Sequence, residues 1–315
     1  MEILGIRHKK ENKTAIAMSL LDKAYYHTWN IGFIESDVKD IVASEKSQVE
    51  VHWVRHHYKD RFFADPFILS VDDKEIRVLV EDFPYYDKRG MISLLTIDRK
   101  SYALKDKKVI LKQPFHMSYP FIMRKEDDSI WVAPEASQSG NLYYYTMNPA
   151  SMMLENQKVL VGEPLLDSTI VEHQGQWWLF CTKRGESSNR DLYIYYADAP
   201  EGPWQPHAQN PVVSNSAMAR PAGYLVKVGD ELYRVIQKCD QHYGEAVNVT
   251  RVNKLTDTEF SETFVKELRA QKDEYSYGFH TLNGFGGITV VDGIRKQFAP
   301  LRRVVYEIRN KINRK

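Results

Sequence analysis

The chain has few cysteines, no long apolar run and no excess of either charge. Its 315 residues include only Cys181 and Cys239, too few for a disulfide scaffold and without metal-ligand spacing, so we expect two buried thiols. No apolar segment approaches the roughly 18 residues that span a membrane. Lys plus Arg number 43 against 42 for Asp plus Glu, and this balance argues against nucleic acid as a partner.

An export signal is also missing from the N-terminal pattern. The basic residues 7–10 precede a short apolar run at 15–21, but the run contains Ser19 and ends in Asp22-Lys23 without a small-x-small cleavage site. We therefore expect a cytoplasmic protein in which residues 1–27 form an N-terminal extension.

The main positive feature of the sequence is an internal repeat. Five segments align, each with a short strand, a polar or glycine turn and an apolar returning strand. Third strands are visible in four units, and fourth strands at 108–111 and 158–161. Four short antiparallel strands repeated about every fifty residues predict a β-propeller. The units begin at these residues: Asp65, Tyr119, Asp167, Arg220 and His280.

The fifth unit has only two strands, because Asp292-Gly293 leads into a helix-like tail. The strand-like segments 28–35 and 48–55 precede the first repeat and could supply the missing strands, which would leave no exposed sheet edge. We therefore predict an all-β chain forming one five-bladed β-propeller over residues 28–293, closed by N-terminal strands. A β-sandwich is the competing fold, although it would not need a repeat of this period.

The repeat also predicts where polar groups converge. The first residues of the inner strands ring one mouth of a propeller channel, and the ends of the second strands return to the same mouth. The first set holds the five unit-starting residues, and the second holds Glu81, Glu135, Lys183 and Gln237. Gathered charges must be paired or solvated, so this concentration points to a site. The alternative is a solvated mouth whose polar residues only mark turns.

Two resemblances add to this prediction. The Ala-Asp-Pro start of the first unit resembles the arabinanase and β-xylosidase class of glycosidases and their β-fructosidase relatives. That class uses an Asp of the first blade as base or nucleophile, an Asp of the second to tune the pKa of the acid, and a Glu of the third as acid. Asp65 matches the first position, whereas Tyr119 and Asp167 replace the other two. These departures argue against ordinary glycoside hydrolysis.

A closer resemblance covers nearly the whole chain. It is carried by ADPF (64–67), HMSYPFI (116–122), APE (133–135), WWLF (177–180) and ARPAG (219–223), together with the later FHTLN and VDG strings. These motifs resemble the glycosidase-like propeller found as the N-terminal domain of plant glucosamine inositolphosphorylceramide transferases, and the propeller that accompanies bacterial sugar formyltransferases. The resemblance implies sugar-related work in surface-polysaccharide or glycolipid synthesis.

The leading hypothesis is an enzyme that cleaves or transfers a glycosyl unit of a sugar, oligosaccharide or sugar nucleotide. Asp65 would be base or nucleophile, and Glu135 or Asp167 the acid. The other residues would bind substrate: Tyr119 by stacking, Arg220 through a carboxylate or phosphate, His280 through a hydroxyl, and Glu81, Lys183 and Gln237 at the strand ends.

Two other functions remain open at this point. A non-catalytic glycan-binding module could position a sugar for partner enzymes. A glycosyltransferase could use the Asp pairs 72–73 and 127–128 on a metal-bound diphosphate, although these pairs fall in predicted hairpin turns.

We expect neither a cofactor nor a metal site. The adjacent His56 and His57 would face opposite sides of a strand, so they are poorly placed to share a metal ion. An ion in the channel near His280 is the one exception that we consider.

The C-terminal residues 294–315 are predicted to form a basic amphipathic helix. Residues 301–315 carry apolar side chains near helical spacing within a strongly basic segment. This pattern fits either peripheral contact with an anionic membrane at its inner face or packing of the apolar stripe on the propeller.

Overall fold

Five β-sheets arranged as the blades of a propeller make up the structure, a computed structural model that describes residues 25–298. The predicted fold class is confirmed. The predicted membrane-contacting segment 301–315 and most of the predicted N-terminal extension lie outside the described residues.

The strands follow in chain order. The N-terminal segment contains β1 (Tyr25–Ile34), α1 (Val38–Ala43), β2 (Gln48–Val49) and β3 (His52–Trp53). Blade one contains β4 (Arg61–Val71), β5 (Glu75–Pro84), β6 (Met91–Asp98) and β7 (Leu104–Leu111). Blade two contains β8 (Ser118–Arg124), β9 (Ile130–Glu135), β10 (Leu142–Met147) and β11 (Leu154–Val161).

The remaining blades are less regular. Blade three contains β12 (Leu165–His173), β13 (Gln176–Lys183), β14 (Asp191–Ala197), β15 (Gln205–Pro206) and β16 (Val213–Ser214). Blade four contains β17 (Val226–Val228), β18 (Glu231–Lys238), β19 (Ala246–Leu255) and β20 (Phe260–Ala270). Blade five begins with β21 (Leu282–Phe285) and β22 (Ile288–Phe298).

Blade five is completed by the N-terminal segment. Strand β1 pairs antiparallel with β22 along its whole length, from Tyr25 opposite Phe298 to Ile34 opposite Thr289. Strand β3 adds to β1, whereas β2 joins blade four in parallel with β20. Closure by residues 28–35 is therefore confirmed, but the segment 48–55 divides between two blades. Because β22 continues to Phe298, residues 294–298, which we predicted as the start of a helix, are strand.

A buried lysine ties α1 to blade four. Lys266 on β20 donates from Nζ to the carbonyl oxygens of Ile41 and Ser44 at the C-terminal end of α1, each at 2.5 Å. Cations at this end of a helix satisfy carbonyl groups that have no partner within the helix. Desolvation of the ammonium lowers the pKa of Lys266.

Aromatic side chains close the channel between the blades. Phe67 on β4 lies 5.0 Å from the ring of Tyr119 and 5.3 Å from that of Tyr224, centroid to centroid. Phe121 packs against both Phe67 and Tyr224. The Tyr224 hydroxyl donates to the carbonyl oxygen of Ile122, which links blades two and four. This cluster forms an apolar floor beneath the polar residues of the mouth.

Two further sequence predictions can be checked against residues 25–298. No helix in this part of the chain has the length and apolar character that crossing a membrane requires. Both cysteines are free thiols, but only Cys181 is buried as predicted, whereas Cys239 is half-buried because it follows β18 in a connecting turn.

Candidate active site

The first strands of blades one, two and three share one irregularity. Each contains a β-bulge, which shifts its pairing register over one of these intervals: 64–67, 118–121 and 166–169. The residues inside the bulges have positive φ angles, 50° at Asp65, 42° at Tyr119 and 47° at Asp167. Positive φ is uncommon outside glycine, and bulges redirect side chains near active sites. Because the same uncommon conformation recurs in three blades, the mouth is the candidate active site.

Asp65 belongs to a buried chain of three side chains. His280 Nδ1 is 2.7 Å from Asp292 Oδ1, and His280 Nε2 lies 3.5 Å from Asp65 Oδ1. Asp292 also accepts the backbone N–H groups of Asp65, His280 and Thr281. Trp29 from β1 stacks on the His280 ring at 3.9 Å between centroids. The imidazole is consequently held in one orientation toward Asp65.

Burial and neighbouring charges act in opposite directions on the pKa values of Asp65 and His280. Burial raises the pKa of Asp65, the charge of His280 lowers it, and the carboxylates of Asp167 and Asp292 raise it, with a result of about 7. Burial lowers the pKa of His280, but the charge and hydrogen bond of Asp292, with the charge of Asp65, raise it above its ordinary value. Asp65 can therefore exchange a proton near neutral pH.

Asp167 organises a second group on the opposite side of the mouth. Its Oδ2 accepts hydrogen bonds from Arg220 Nε at 2.5 Å and from Gln237 Nε2 at 2.6 Å. Arg220 also donates to Asn189 and lies 3.8 Å from Glu135 Oε2. The guanidinium of Arg220 is thus engaged by the protein itself, so Asp167 and Arg220 position each other.

Glu135 ends β9 beside this group. It is buried, and its Oε1 accepts a hydrogen bond from Ser137 Oγ at 2.9 Å. Burial and the charge of Asp167 raise the pKa of Glu135, and the charge of Arg220 lowers it, with a result of about 8. The carboxyl group therefore holds a proton at neutral pH, which is the state that a general acid needs.

Glu81 lies near the end of β5, against His116. Oε1 of Glu81 is 3.4 Å from His116 Nε2, and Nδ1 of His116 accepts the Gly90 N–H at 2.9 Å. A Cβ atom at position 90 would lie 2.3 Å from the backbone carbonyl oxygen of Met117 and 2.7 Å from Oε1 of Glu81, so only glycine fits at this position. Burial, with repulsion from Asp65 and Glu135, raises the pKa of Glu81 well above its ordinary value. Burial and the charge of Arg184 lower the pKa of His116 to about 4.

Two of the predicted site residues lie elsewhere. Tyr119 is fully buried, and its hydroxyl lies 2.8 Å from Thr169 Oγ1, so its ring belongs to the floor and is not available for stacking on a sugar. Lys183 pairs with Glu163 and lies over the rings of Tyr193 and Tyr195. The other predicted residues converge at the mouth: Asp65, Glu81, Glu135, Asp167, Arg220, Gln237 and His280.

The misplacement of Lys183 has a simple cause in strand register. The residue before each bulge pairs with Glu81 in blade one, with Glu135 in blade two and with Thr182 in blade three. Side chains alternate between faces along a strand, so a shift of one residue turns Lys183 away from the mouth. Thr182 occupies the site position, and its buried hydroxyl has no hydrogen-bond partner among residues 25–298.

Three residues at this mouth were not predicted from the sequence. Asp292 directly follows Val291, which pairs with Leu282 as Leu79 pairs with Phe67 in blade one, so Asp292 lies one position before the register of Glu81. Tyr243, part of a Tyr-Gly motif, is 42% exposed and has the Arg220 guanidinium 5.2 Å from its ring centroid. Trp29 comes from the N-terminal strand, outside the repeat.

One cluster has the donor atoms for a metal ion. Single ligand atoms of Asp65, His280 and Asp292 lie within 4.8 Å of one another. These three residues could hold an ion in the channel near His280, the place that the sequence analysis considered. Within this cluster His280 Nδ1 and Asp292 Oδ1 are already joined by a hydrogen bond.

Comparison with known proteins identifies the family. The sequence profile described as "Glucosamine inositolphosphorylceramide transferase 1, N-terminal" matches residues 48–285. The chain belongs to this family. It is 32% identical over 210 residues to glucosamine inositolphosphorylceramide transferase 1 of Oryza sativa subsp. japonica and 33% identical over 211 residues to that of Arabidopsis thaliana. Each match covers 65% of this chain but only 28% and 27% of the two relatives, so the chain corresponds to about a quarter of their length.

Solved structures share the fold of this family member. The catalytic domain of the GH62 α-L-arabinofuranosidase of Coprinopsis cinerea superposes with a TM-score of 0.56 at 10% identity, covering 71% of this chain and 78% of that domain. A thermostable family-43 glycoside hydrolase gives 0.51 at 13% identity, covering 77% and 96%. At these identities the likeness concerns the propeller alone.

Proposed function

We propose that the chain is a carbohydrate-active enzyme of surface-polysaccharide or glycolipid synthesis that cleaves or transfers a glycosyl unit in the central pocket. The names of its relatives and the glycoside hydrolases that share its fold support a carbohydrate-related role. The observation that carries the proposal is the meeting of two carboxyl groups in different surroundings at one mouth. Asp65 lies beside a histidine, and Glu135 beside a serine and an arginine.

These surroundings divide the acid and base roles. Glu135 keeps its proton at neutral pH and would deliver it to the oxygen of the leaving group. Asp65, with His280 favouring its charged form, would act as base or nucleophile on the other side of the sugar. Asp167 is less available than Glu135 to contact a leaving group, because its Oδ2 already accepts hydrogen bonds from Arg220 and Gln237. Environments that separate two carboxyl groups in this way are typical of glycosyl transfer.

Exposed aromatic rings at the rim would bind the sugar. Tyr243 and Trp29 both contact the His280 ring. The Tyr243 side chain is 42% exposed, and the Trp29 side chain is half-buried. They replace Tyr119 in the stacking role, because aromatic rings with one exposed face bind ligands that are part apolar and part polar.

A mass-spectrometric turnover screen tests the proposal. Wild type, Asp65→Asn and the control Asp127→Asn would be incubated with nucleotide sugars, lipid-linked sugars and surface oligosaccharides. We expect a product from wild type and from the control, whose carboxylate lies in an exposed hairpin turn, and a loss of about 10²-fold or more in Asp65→Asn. Equal turnover by wild type and Asp65→Asn would refute the assignment of Asp65.

A non-catalytic glycan-binding module is the second candidate. Two positions that hold catalytic carboxyl groups in the arabinanase class favour it. Tyr119 stands at the first and is buried, and Asp167 stands at the second, where Arg220 engages its carboxylate. In this case no substrate would be turned over. A glycan would still raise the melting temperature, and Tyr243→Ala would reduce that increase whereas Asp65→Asn would not.

A nucleotide-sugar transferase that uses the Asp pairs is not supported by their surroundings. Asp72 accepts the backbone N–H groups of Lys74 and Glu75, and Asp127 accepts that of Ser129. Both pairs lie in hairpin turns, as predicted, and their carboxylates stabilise the turns.

A further inference from the structure

A second cleft opens beside the central mouth, between blades five and one. It has a volume of about 770 Å³ and is bordered by β1, β3 and the connection from β3 to β4. Trp29 lines this cleft and also stacks on His280, so the cleft and the candidate active site share one side chain. A ligand in the central pocket could extend past Trp29 into the cleft.

The cleft has the size and walls of a small-molecule site. Its volume lies within the range of about 300 to 1,000 Å³ that is usual for such sites. Trp53 and Tyr275 contact each other along one wall, with ring centroids 5.0 Å apart, and Tyr85 lines the cleft near Trp29. Aromatic walls of this kind suit the apolar faces of sugar rings.

The charge of the cleft differs from that of the chain as a whole. Four cationic side chains line it against one carboxylate: Arg55, Lys59, Arg61 and Arg295 against Glu274. In the complete sequence the cationic and anionic residues are almost equal in number, at 43 and 42. This local excess favours an anionic ligand.

The arginines differ in what they already bind. Arg61 pairs with Asp60 and with the buried Asp82, and Arg295 pairs with Glu274 at 2.8 Å. Arg55 makes no ion pair within residues 25–298, and its Nη2 donates to the neutral carbonyl oxygen of Ser101 at 2.6 Å. This hydrogen bond holds the side chain while leaving its charge uncompensated, so Arg55 is the arginine best able to bind a ligand oxyanion through its planar fork.

We propose that this cleft binds an oxyanion, a phosphate or a carboxylate, carried by the glycan whose glycosyl unit enters the central pocket. The identity of the glycan rests on the proposed function, whereas the anion site rests on the cleft itself. The cleft would then select acidic or phosphorylated glycans over neutral ones.

Calorimetric titration with three matched sugars tests this proposal. Glucose 1-phosphate and glucuronic acid carry the two oxyanions, and glucose carries none. We expect at least one anionic sugar to bind wild type about tenfold or more tightly than glucose, with an affinity that falls as salt is added. Whichever anion binds more tightly identifies the oxyanion that the cleft prefers.

Variants of Arg55 assign the binding to the cleft. Arg55→Gln should lower the affinity for the anionic sugar about tenfold, the loss expected for a charge-assisted hydrogen bond, and Arg55→Lys should retain part of it. The control Arg251→Gln removes a partly exposed arginine of blade four that pairs with Glu231, and should bind like wild type. The proposal is overturned if neither anion binds more tightly than glucose, or if Arg55→Gln retains the wild-type affinity.

The outcome separates this inference from the proposed catalysis. Binding is measured without turnover, and Asp65→Asn should leave the contribution of the anion unchanged. Binding that depends on Arg55 in a protein that turns over no glycan would support the cleft and refute catalysis. Turnover of a glycan without any preference for anionic sugars would refute the cleft alone.

Discussion

Replacement of Glu135 by glutamine is expected to lower turnover by about 10²- to 10⁴-fold, the usual contribution of a general acid. The amide preserves the size of the side chain but cannot give a proton to the leaving group. Substrates with strongly acidic leaving groups need no such proton, so an activated aryl glycoside should lose much less of its rate. Comparison of the two substrates separates loss of acid catalysis from loss of binding.

The pH dependence of kcat/KM gives a second readout of the same variant. The proposed reaction needs Asp65 ionised and Glu135 protonated, so we expect the rate to rise as pH passes about 7 and to fall above about 8. Glu135→Gln should lose the fall at high pH.

A matched control is available in blade three. Glu163 pairs with Lys183 away from the mouth, so Glu163→Gln should retain both the rate and the pH profile of wild type. An unchanged rate in Glu135→Gln would contradict its role as acid.

Asp292→Ala is expected to destabilise the protein by at least about 3 kcal/mol. The side chain is fully buried and accepts three backbone N–H groups and the His280 ring. Each buried donor left without a partner costs about 1 to 3 kcal/mol. The free energy of unfolding, measured by urea denaturation, would show the loss.

Two further variants calibrate this measurement. Asp292→Asn keeps one of the two acceptor oxygens of the side chain. The decrease in the free energy of unfolding should therefore be smaller for Asp292→Asn than for Asp292→Ala. Asp127→Ala removes an exposed turn carboxylate and should cost about 1 kcal/mol or less. A denaturation midpoint of Asp292→Ala equal to that of wild type would show that these hydrogen bonds contribute little.

The repeat was sufficient to predict the blades and the mouth. Alternating apolar strands and turns repeated about every fifty residues predict the propeller. The residues that begin the units lie in the first strands of blades one to three and ahead of the first strands of blades four and five. Strand β1 was also predictable, because a unit with two strands leaves an edge that needs pairing. The division of residues 48–55 between blades four and five was not, because strands of two residues leave almost no periodic pattern.

The site was less predictable than the blades because it depends on register and bulges. Lys183 and Thr182 differ by one position, and only the pairing with β12 decides which faces the mouth. Tyr119 has the same bulge as Asp65, yet its longer side chain extends into the apolar floor. Asp292 lies one position off the second-strand register of Glu81, so the repeat did not point to it.

The protonation of Glu135 at neutral pH decides whether the central pocket holds a general acid. NMR titration of the carboxyl carbons of isotopically labelled glutamate measures it directly, with Glu135→Gln and Glu81→Gln to assign the signals of these two residues. We predict that the Glu135 signal titrates at a pH of about 8. Titration near the ordinary value of 4.5 would leave Glu135 ionised at neutral pH and would contradict its role as the proton donor.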